Sequence, residues 1–438
     1  MTSLARVARA MQAVLTSAAD SAAHTARFVQ RRSKLGGALF VQTLVFGWLG
    51  NPQATLDELA QTAATLGLTI SPQGLDGRFS PQAAELVRQV LETAVHTLVT
   101  TDPVAIPLLA RFNGVYLHDS SVVALPEALA DLWPGSGGSA AAATLKLGVR
   151  LDLARGALLG PVLLPGRSHD TRLPLQAADL PPGALRLADL GFFNLAALRD
   201  LDQRGVYWLS RYQAGPAAFD LAGQRRDIVA LLEAQGADAI DLPIVLGVAE
   251  GLPARLLAVR VPQEVADQRR RKLREDARRR QQAVSRVRLA LAEWTVFVTN
   301  VPAGLLSLRE ALVLGRARWQ IELLFKLWKS HGGIDESRSA KPWRVLCEVY
   351  AKLLAMVVQH WVLVAGCWAY PDRSLVKAAQ TVRKHALAVA SVFGSPRRLL
   401  LALRVVVRCL ASGCRLNRRR ARPNTYQRLL DPSEGGIA

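Results

Sequence analysis

Acidic residues are scarce in this chain. Only 35 Asp and Glu stand against 55 Lys and Arg, a formal net charge of +20 over 438 residues. A surplus of that size points to a polyanionic partner, and the preference for Arg over Lys suits bidentate phosphate contact. Cysteine is scarce too: Cys347, Cys367, Cys409 and Cys414 all fall late and lack metal-type spacing with His. A disulfide framework and a zinc site are therefore excluded, and reduced core cysteines in the cytoplasm are expected. His118 and His169 likewise have no partner at zinc-ligand spacing. No stretch is expected to span a membrane. The most apolar candidate, Val345–Ala369, carries Glu348, Lys352 and His360, which a bilayer core penalises. No compact apolar run with a cleavage site follows Arg6 and Arg9, so secretion is not expected. Gly135–Gly138 lacks the Lys-Ser/Thr of a phosphate-binding loop, and no G-x-S-x-G occurs, which removes nucleotide hydrolysis and serine hydrolysis. What remains is half hydrophobic and long enough for two or three domains with real cores.

Residues 1 to about 105 read as helical. Thr55–Leu66, a turn at Gly67-Leu68-Thr69, and a second helix from Ser71-Pro72 to Phe79 outline a helix-turn-helix. From Val115 the pattern turns to strands. Val115–His118 is a short apolar run that ends at Asp119. After the Gly- and Ser-rich loop Pro134–Ser139, Leu145–Leu153 and Ala157–Leu164 form a hairpin. Another short strand ends at Asp189, followed by a helix over Asn194–Gln203. Val206–Arg211, Ile244–Val248, Leu256–Val261 and Trp294–Thr299 read as further strands, and Gln268–Arg280 as an Arg-loaded helix. With only Glu275 and Asp276 to balance it, that helix favours phosphate contact. The C-terminal part is helical, with a basic run over Arg415–Arg422.

The richest segment is Arg316–Lys329. At about 100° per residue, Arg318, Glu322, Lys326 and Lys329 share one narrow stripe, while Ile321, Leu323, Leu324, Leu327 and Trp328 fill most of the rest. The spacing allows ordinary i,i+4 salt bridges. It equally allows a carboxylate and cations held on a buried helix for a metal or an anionic ligand.

Arg318-x3-Glu322-x6-Lys329 resembles the Y-R-E-K signature of the DDE transposases of the bacterial insertion sequence four family, with Gly315 where the family has Tyr. Thr299-Asn300-Val301-Pro302, Lys329-Ser330-His331, the Tyr116–Ser120 strand end and Ala188-Asp189-Leu190-Gly191-Phe192-Phe193 resemble it as well. The resemblance implies an α/β fold: a ribonuclease H-like mixed sheet flanked by helices, interrupted by a β-rich insertion, with helical N- and C-terminal regions. The corresponding organisation is a DNA-binding domain over 1–105, catalytic parts over 106–204 and 300–370, an insertion over 205–299, and a basic helical region over 371–438. It implies that Asp119, Asp189 and Glu322 are catalytic and bind two Mg²⁺ ions, with Mn²⁺ able to substitute. Arg211, Trp294, Arg318, Trp319, Lys326 and Lys329 would contact DNA, Trp294 by stacking an extruded base and Trp319 by propping the opened end. The implied activity is cut-and-paste transposition: hydrolysis at terminal inverted repeats, a hairpin, and 3′-OH strand transfer into target DNA by a homodimer. It would take place in the bacterial cytoplasm at the nucleoid, with no nucleotide and no membrane. The alternative is a catalytically inactive DNA-binding regulator, for which Gly315 is the one hint. Restoring the aromatic with Gly315→Tyr is expected to raise end cleavage.

Overall fold

The computed structural model describes residues 3–31, 34–137, 141–176, 179–279, 281–417 and 423–433. Parts of the Gly- and Ser-rich loop, Arg280 and most of the Arg415–Arg422 run lie outside them. The chain forms two compact units. One comprises Met1–Ala105, Asp119–Leu175 and Gln320–Asn417; the other comprises Ile106–His118, Gln176–Trp319 and Arg418–Ala438. The N-terminal helical region, read from sequence as a domain of its own, therefore shares a unit with segments from far along the chain.

In the first unit the strands are β1 (Val115–Leu125, from Asp119 onward), β2 (Ala143–Asp152) and β3 (Leu158–Pro165), in the order β3-β2-β1. β2 and β3 form the antiparallel hairpin expected from the Ala154-Arg155-Gly156 turn. Helices make up the rest. Thr55 opens the helix Leu56–Thr65 with a capping box closed by Glu58. The second helix of the expected helix-turn-helix is one turn long, Pro72–Asp76 instead of a run to Phe79. Gly77 follows, and Ser80-Pro81 starts the next helix at once, as Pro at the first turn favours.

At the centre lies Pro342–Leu363, continued to Trp368. By length and composition this element is long and apolar enough to cross a membrane, yet 94% of its most apolar window is buried inside the protein. Its charges explain why it is a core helix. Lys352 Nζ meets Glu348 Oε1 at 2.8 Å one turn away, and both side chains are buried. The same ammonium donates to the carbonyls of Gly333 at 2.9 Å and Glu336 at 2.8 Å, while Ser337 Oγ donates to Glu348 Oε2 at 2.7 Å. A buried pair that is fully hydrogen-bonded is tolerated where an isolated charge is not.

In the second unit the first four residues of β1 begin a sheet that continues through β4 (Leu185–Ala188), β5 (Tyr207–Arg211), β10 (Trp294–Thr299), β9 (Leu252–Arg260), β8 (Ala239–Leu246), β6 (Ala218–Phe219) and β7 (Arg225–Arg226). β1, β4 and β5 are parallel, and β10 enters antiparallel to β5. Every residue of β4 is buried, as a parallel strand covered on both faces requires. Trp208, Trp294, Val298, Leu256 and Ile244 share the core of this unit. Thr299 and Asn300, part of the family-like tetrapeptide, fasten β10 to β5. Thr299 Oγ1 donates to the Trp208 carbonyl at 2.6 Å, and Asn300 Oδ1 accepts from Trp208 N–H at 2.8 Å. The fold is mixed α/β, a ribonuclease H-like mixed sheet with helical ends.

Candidate active site

β1 and β4 run in parallel register from Val115 beside Leu185 to His118 beside Ala188. Asp119 and Asp189 are each the next residue after that last pair. Asp189 lies just beyond the end of β4, but β1 runs on to Leu125, so Asp119 sits within its strand and not at the strand end expected from sequence. Asp119 is half-buried, and its Oδ1 accepts from the Ser120 N–H at 2.8 Å. Ser120 Oγ in turn donates to Asp170 at 2.7 Å, and Lys146 reaches the same Asp170 oxygen at 3.0 Å. Sequence reading missed Asp170 and Lys146; a basic residue inside the alternating β2 run was the available signal. Asp189 leads into the short turn Leu190–Phe192 with its side chain 46% exposed, and Arg318 Nη2 stands 3.9 Å from its Oδ1. Three residues before Asp189, Arg186 is wholly buried and donates through Nε to His118 Nδ1 at 3.2 Å. Burial pushes its guanidinium down to about 10, and it remains a cation at neutral pH. His118 Nδ1 accepts this hydrogen bond, since a guanidinium can only donate.

The segment Arg316–Lys329, read as one helix, is interrupted. Leu308–Ala317, opened by a Ser307/Glu310 capping box, ends before Arg318, and a new helix spans Trp319–Lys326. After Lys326 the coil widens, with Gly332 N–H bonding back five residues to the Leu327 carbonyl. Such wide turns recur at functional sites and change the angular step, which breaks the simple stripe. Ile321, Leu324, Leu327 and Trp328 are buried as expected, Leu323 is only half-buried, and Phe325 is buried as well. Glu322 is half-buried and Lys326 exposed. Lys329 donates to the Val122 carbonyl of β1 at 3.0 Å, and in this arrangement it braces the strand that carries Asp119. Trp319 is 55% exposed, unusual for so large an apolar side chain.

Gly315 has a packing reason. A Cβ placed there would fall inside contact distance of the Phe297 ring on β10. The expectation that Gly315→Tyr improves end cleavage therefore gives way to the opposite, because the space beside the helix is already filled. Gly315→Ala is expected to destabilise by about 1–3 kcal/mol through overpacking, and Phe297→Leu in the same chain should recover most of it. Urea denaturation of the two variants checks this; equal stability of wild type and Gly315→Ala would contradict it.

The second unit also holds a cleft of about 640 Å³ lined by Arg211, Arg269, Lys272, Arg288, Tyr212 and Trp294 among others, with Asp276 as its one acid. Arg211 and Trp294, named separately from sequence, thus come together. Their roles differ. Arg211 is exposed at the end of β5. Trp294 is 4% exposed, belongs to the core, and carries the Arg260 guanidinium 4.5 Å from its ring centroid. As placed, it forms wall rather than an open stacking face. The Arg-rich helix is observed as Gln263–Arg279, and two of its arginines are engaged within the protein. Arg269 is tied to the Trp294 carbonyl at 2.9 Å and to Thr295 Oγ1 at 3.0 Å, and burial first, then Arg211, lowers its pKa. Arg270 pairs with Glu293 and Asp267.

Asp119, Asp189 and Glu322 offer oxygen donors only, and each is partly exposed. Carboxylate oxygens are donors of the kind that hard divalent cations take, in preference to soft-ligand metals. Among the described residues, no group of three or more His, Cys, Asp or Glu side chains already converges to hold an ion.

Residues 110–358 match the family model described as a transposase DDE domain. The chain is similar to the transposase for insertion sequence element IS231B of Bacillus thuringiensis subsp. berliner, 28% identical over 355 residues, which cover 76% of this chain and 74% of the relative. Similarity to the transposase for insertion sequence element IS1151 of Clostridium perfringens is 26% over 368 residues, covering 78% and 76%. A shorter match links it to the putative transposase InsL for insertion sequence element IS186A of Escherichia coli (strain K12), 35% identical over 103 residues, covering 24% and 28%.

Proposed function

The chain belongs to the DDE transposases of the insertion sequence four family, and from that premise we propose that it performs cut-and-paste transposition, with Asp119, Asp189 and Glu322 as its catalytic carboxylates. The reading is carried by one observation: two acids directly follow the last paired residues of two adjacent parallel strands. Asp189 lies just past the carboxyl end of β4, the edge this kind of sheet presents to a substrate, and Asp119 follows the last residue of β1 paired to that strand. The three carboxylates would hold two Mg²⁺ ions, for which Mn²⁺ could substitute; such ions supply an activated water and neutralise charge on the attacking and leaving oxygens. The chain's own residues do the rest. Arg318, 3.9 Å from Asp189, would turn to a phosphate when DNA enters. Lys329 holds β1, and Lys326, exposed one turn beyond Glu322, is free to meet the backbone. Arg211 with the cations of the cleft would bind the transposon end, and Trp294 would form the wall against which a displaced nucleotide rests. Trp319 would prop the opened duplex, returning part of the unstacking cost by contact with a base.

On this reading the partners are the terminal inverted repeats and target duplex, the working form is a homodimer at the bacterial nucleoid, and the intermediate is a hairpin. The test is excision from a supercoiled donor plasmid carrying two inverted repeats. Mg²⁺-dependent release of the flanked segment, followed by joining of a pre-cut 3′ end to a second plasmid, is expected. Binding of the ends without release in either Mg²⁺ or Mn²⁺ would assign the chain to a DNA-binding regulator. Release without joining would make it a nuclease of the same fold.

A further inference from the structure

Between Asp372 and Asp431 the chain contains no acidic residue and 14 Lys and Arg. Several of these cations are spent inside the fold: Arg383 Nε donates to the Gly50 carbonyl at 3.0 Å, and Lys377 Nζ to the Arg415 carbonyl at 3.2 Å. The helix Pro396–Gly413 is different. Leu399, Leu403, Val406 and Leu410 are buried and define its inner face. At about 100° per residue, Arg397, Arg404 and Arg408 fall within an arc of roughly 40° on the opposite face. All three are exposed, and among the described residues their side chains make no hydrogen bond or ion pair. From Arg397 to Arg408 the row is about 16 Å long at the helical rise. A duplex carries one phosphate per about 1.7 Å of axis, so a row of that length faces on the order of ten.

We infer that this outer face is a second, sequence-independent docking surface for the phosphate backbone of duplex DNA, separate from Asp119, Asp189 and Glu322. The inference rests on the transposase reading for its choice of polyanion and on the uncompensated arginine row for its place. Charge complementarity selects the occupant. A solvated helix of a stable fold ordinarily intersperses acids with its bases, and a row of like charges without them repels itself until an anion arrives. The exposed Leu401 and Val405 beside the row do not convert the helix into a membrane anchor, because its larger apolar face is already packed.

The experiment uses the full chain and the triple variant Arg397→Gln/Arg404→Gln/Arg408→Gln, with Arg→Lys at the same positions as control. Affinity for a duplex of scrambled sequence, lacking inverted repeats, is measured by fluorescence anisotropy across a salt series. The slope of log K against log[salt] should fall in magnitude by about 2–3 in the Gln variant, at about 0.9 per lost phosphate contact, with the Lys control near wild type. Cleavage of an inverted-repeat end already bound at low salt should be unchanged. An unaltered slope and affinity in the Gln variant would overturn the inference. So would wild-type binding to phosphatidylserine vesicles that the Gln substitutions abolish while the DNA slope stays the same. If wild type shows no metal-dependent cleavage but the slope difference persists, the transposition reading fails and the docking surface stands.

Discussion

Asp119→Asn is expected to abolish cleavage at a transposon end, by about 10³-fold or more, while leaving affinity for that end within a few-fold of wild type. The substitution keeps the size and hydrogen-bonding reach of the side chain. Its Oδ1 can still accept from Ser120 N–H, so β1 around residue 119 should keep its conformation. What it removes is one unit of negative charge and the second anionic oxygen. Where carboxylates from separate elements jointly bind metal, they act as a unit, and loss of one costs about as much as loss of all. Single-turnover nicking of a labelled end measures cleavage, and mobility shift of the same duplex measures binding. Residual nicking within tenfold of wild type would remove Asp119 from the catalytic set. The same substitution at Asp170 should have far less effect, because Asp170 accepts from Ser120 and Lys146 and acts by positioning.

Lys352→Ala should cost about 3–5 kcal/mol of stability, the effect expected when one member of a buried ion pair is removed. Glu348 would then stand buried with its charge met only by Ser337, and the carbonyls of Gly333 and Glu336 would lose their donor. Those carbonyls belong to the loop that follows the Glu322 helix. The damage should therefore reach that helix before the rest of the unit. Denaturant unfolding gives the stability, and hydrogen exchange across residues 319–337 gives the local opening. The double variant Glu348→Leu/Lys352→Met, which replaces both charges with apolar volume, should recover most of the stability. A single variant as stable as wild type would show that the pair contributes nothing net.

Much of the architecture was legible because local pattern and tertiary role agree. Val115–His118 and the short run before Asp189 were legible as strands followed by an acid, although β1 runs on through Asp119 to Leu125 and only β4 stops at its acid. The β2–β3 hairpin was marked by Ala154-Arg155-Gly156, and β10 by being built entirely of aromatic and β-branched residues. The Glu322 segment was legible in its burial but not in its shape. No Gly or Pro marks the break at Arg318 or the wide turn after Lys326, because packing against other segments decides both. Lys352 was seen only as a charge that argues against a membrane span; its partners, the carbonyls at 333 and 336, come from another part of the chain and leave no local trace. The cleft is a product of four separated segments, so Arg211 and Trp294 could be named but not brought together. Trp294 was weighed as a stacking face, and the strand alone gives no sign that Arg260 lies on its ring.

Gly315 and Phe297 carry a consequence for how this family can vary. One pocket of volume lies between a helix and a strand, and here the strand fills it. A relative that carries an aromatic on the helix has to vacate the strand position, and the two sites can change safely only together. Substituted one at a time, either passes through an overfilled or a hollow intermediate. The chain thus sits on one side of a two-step exchange, with the ring contributed from the strand next to Arg211 in register across β5.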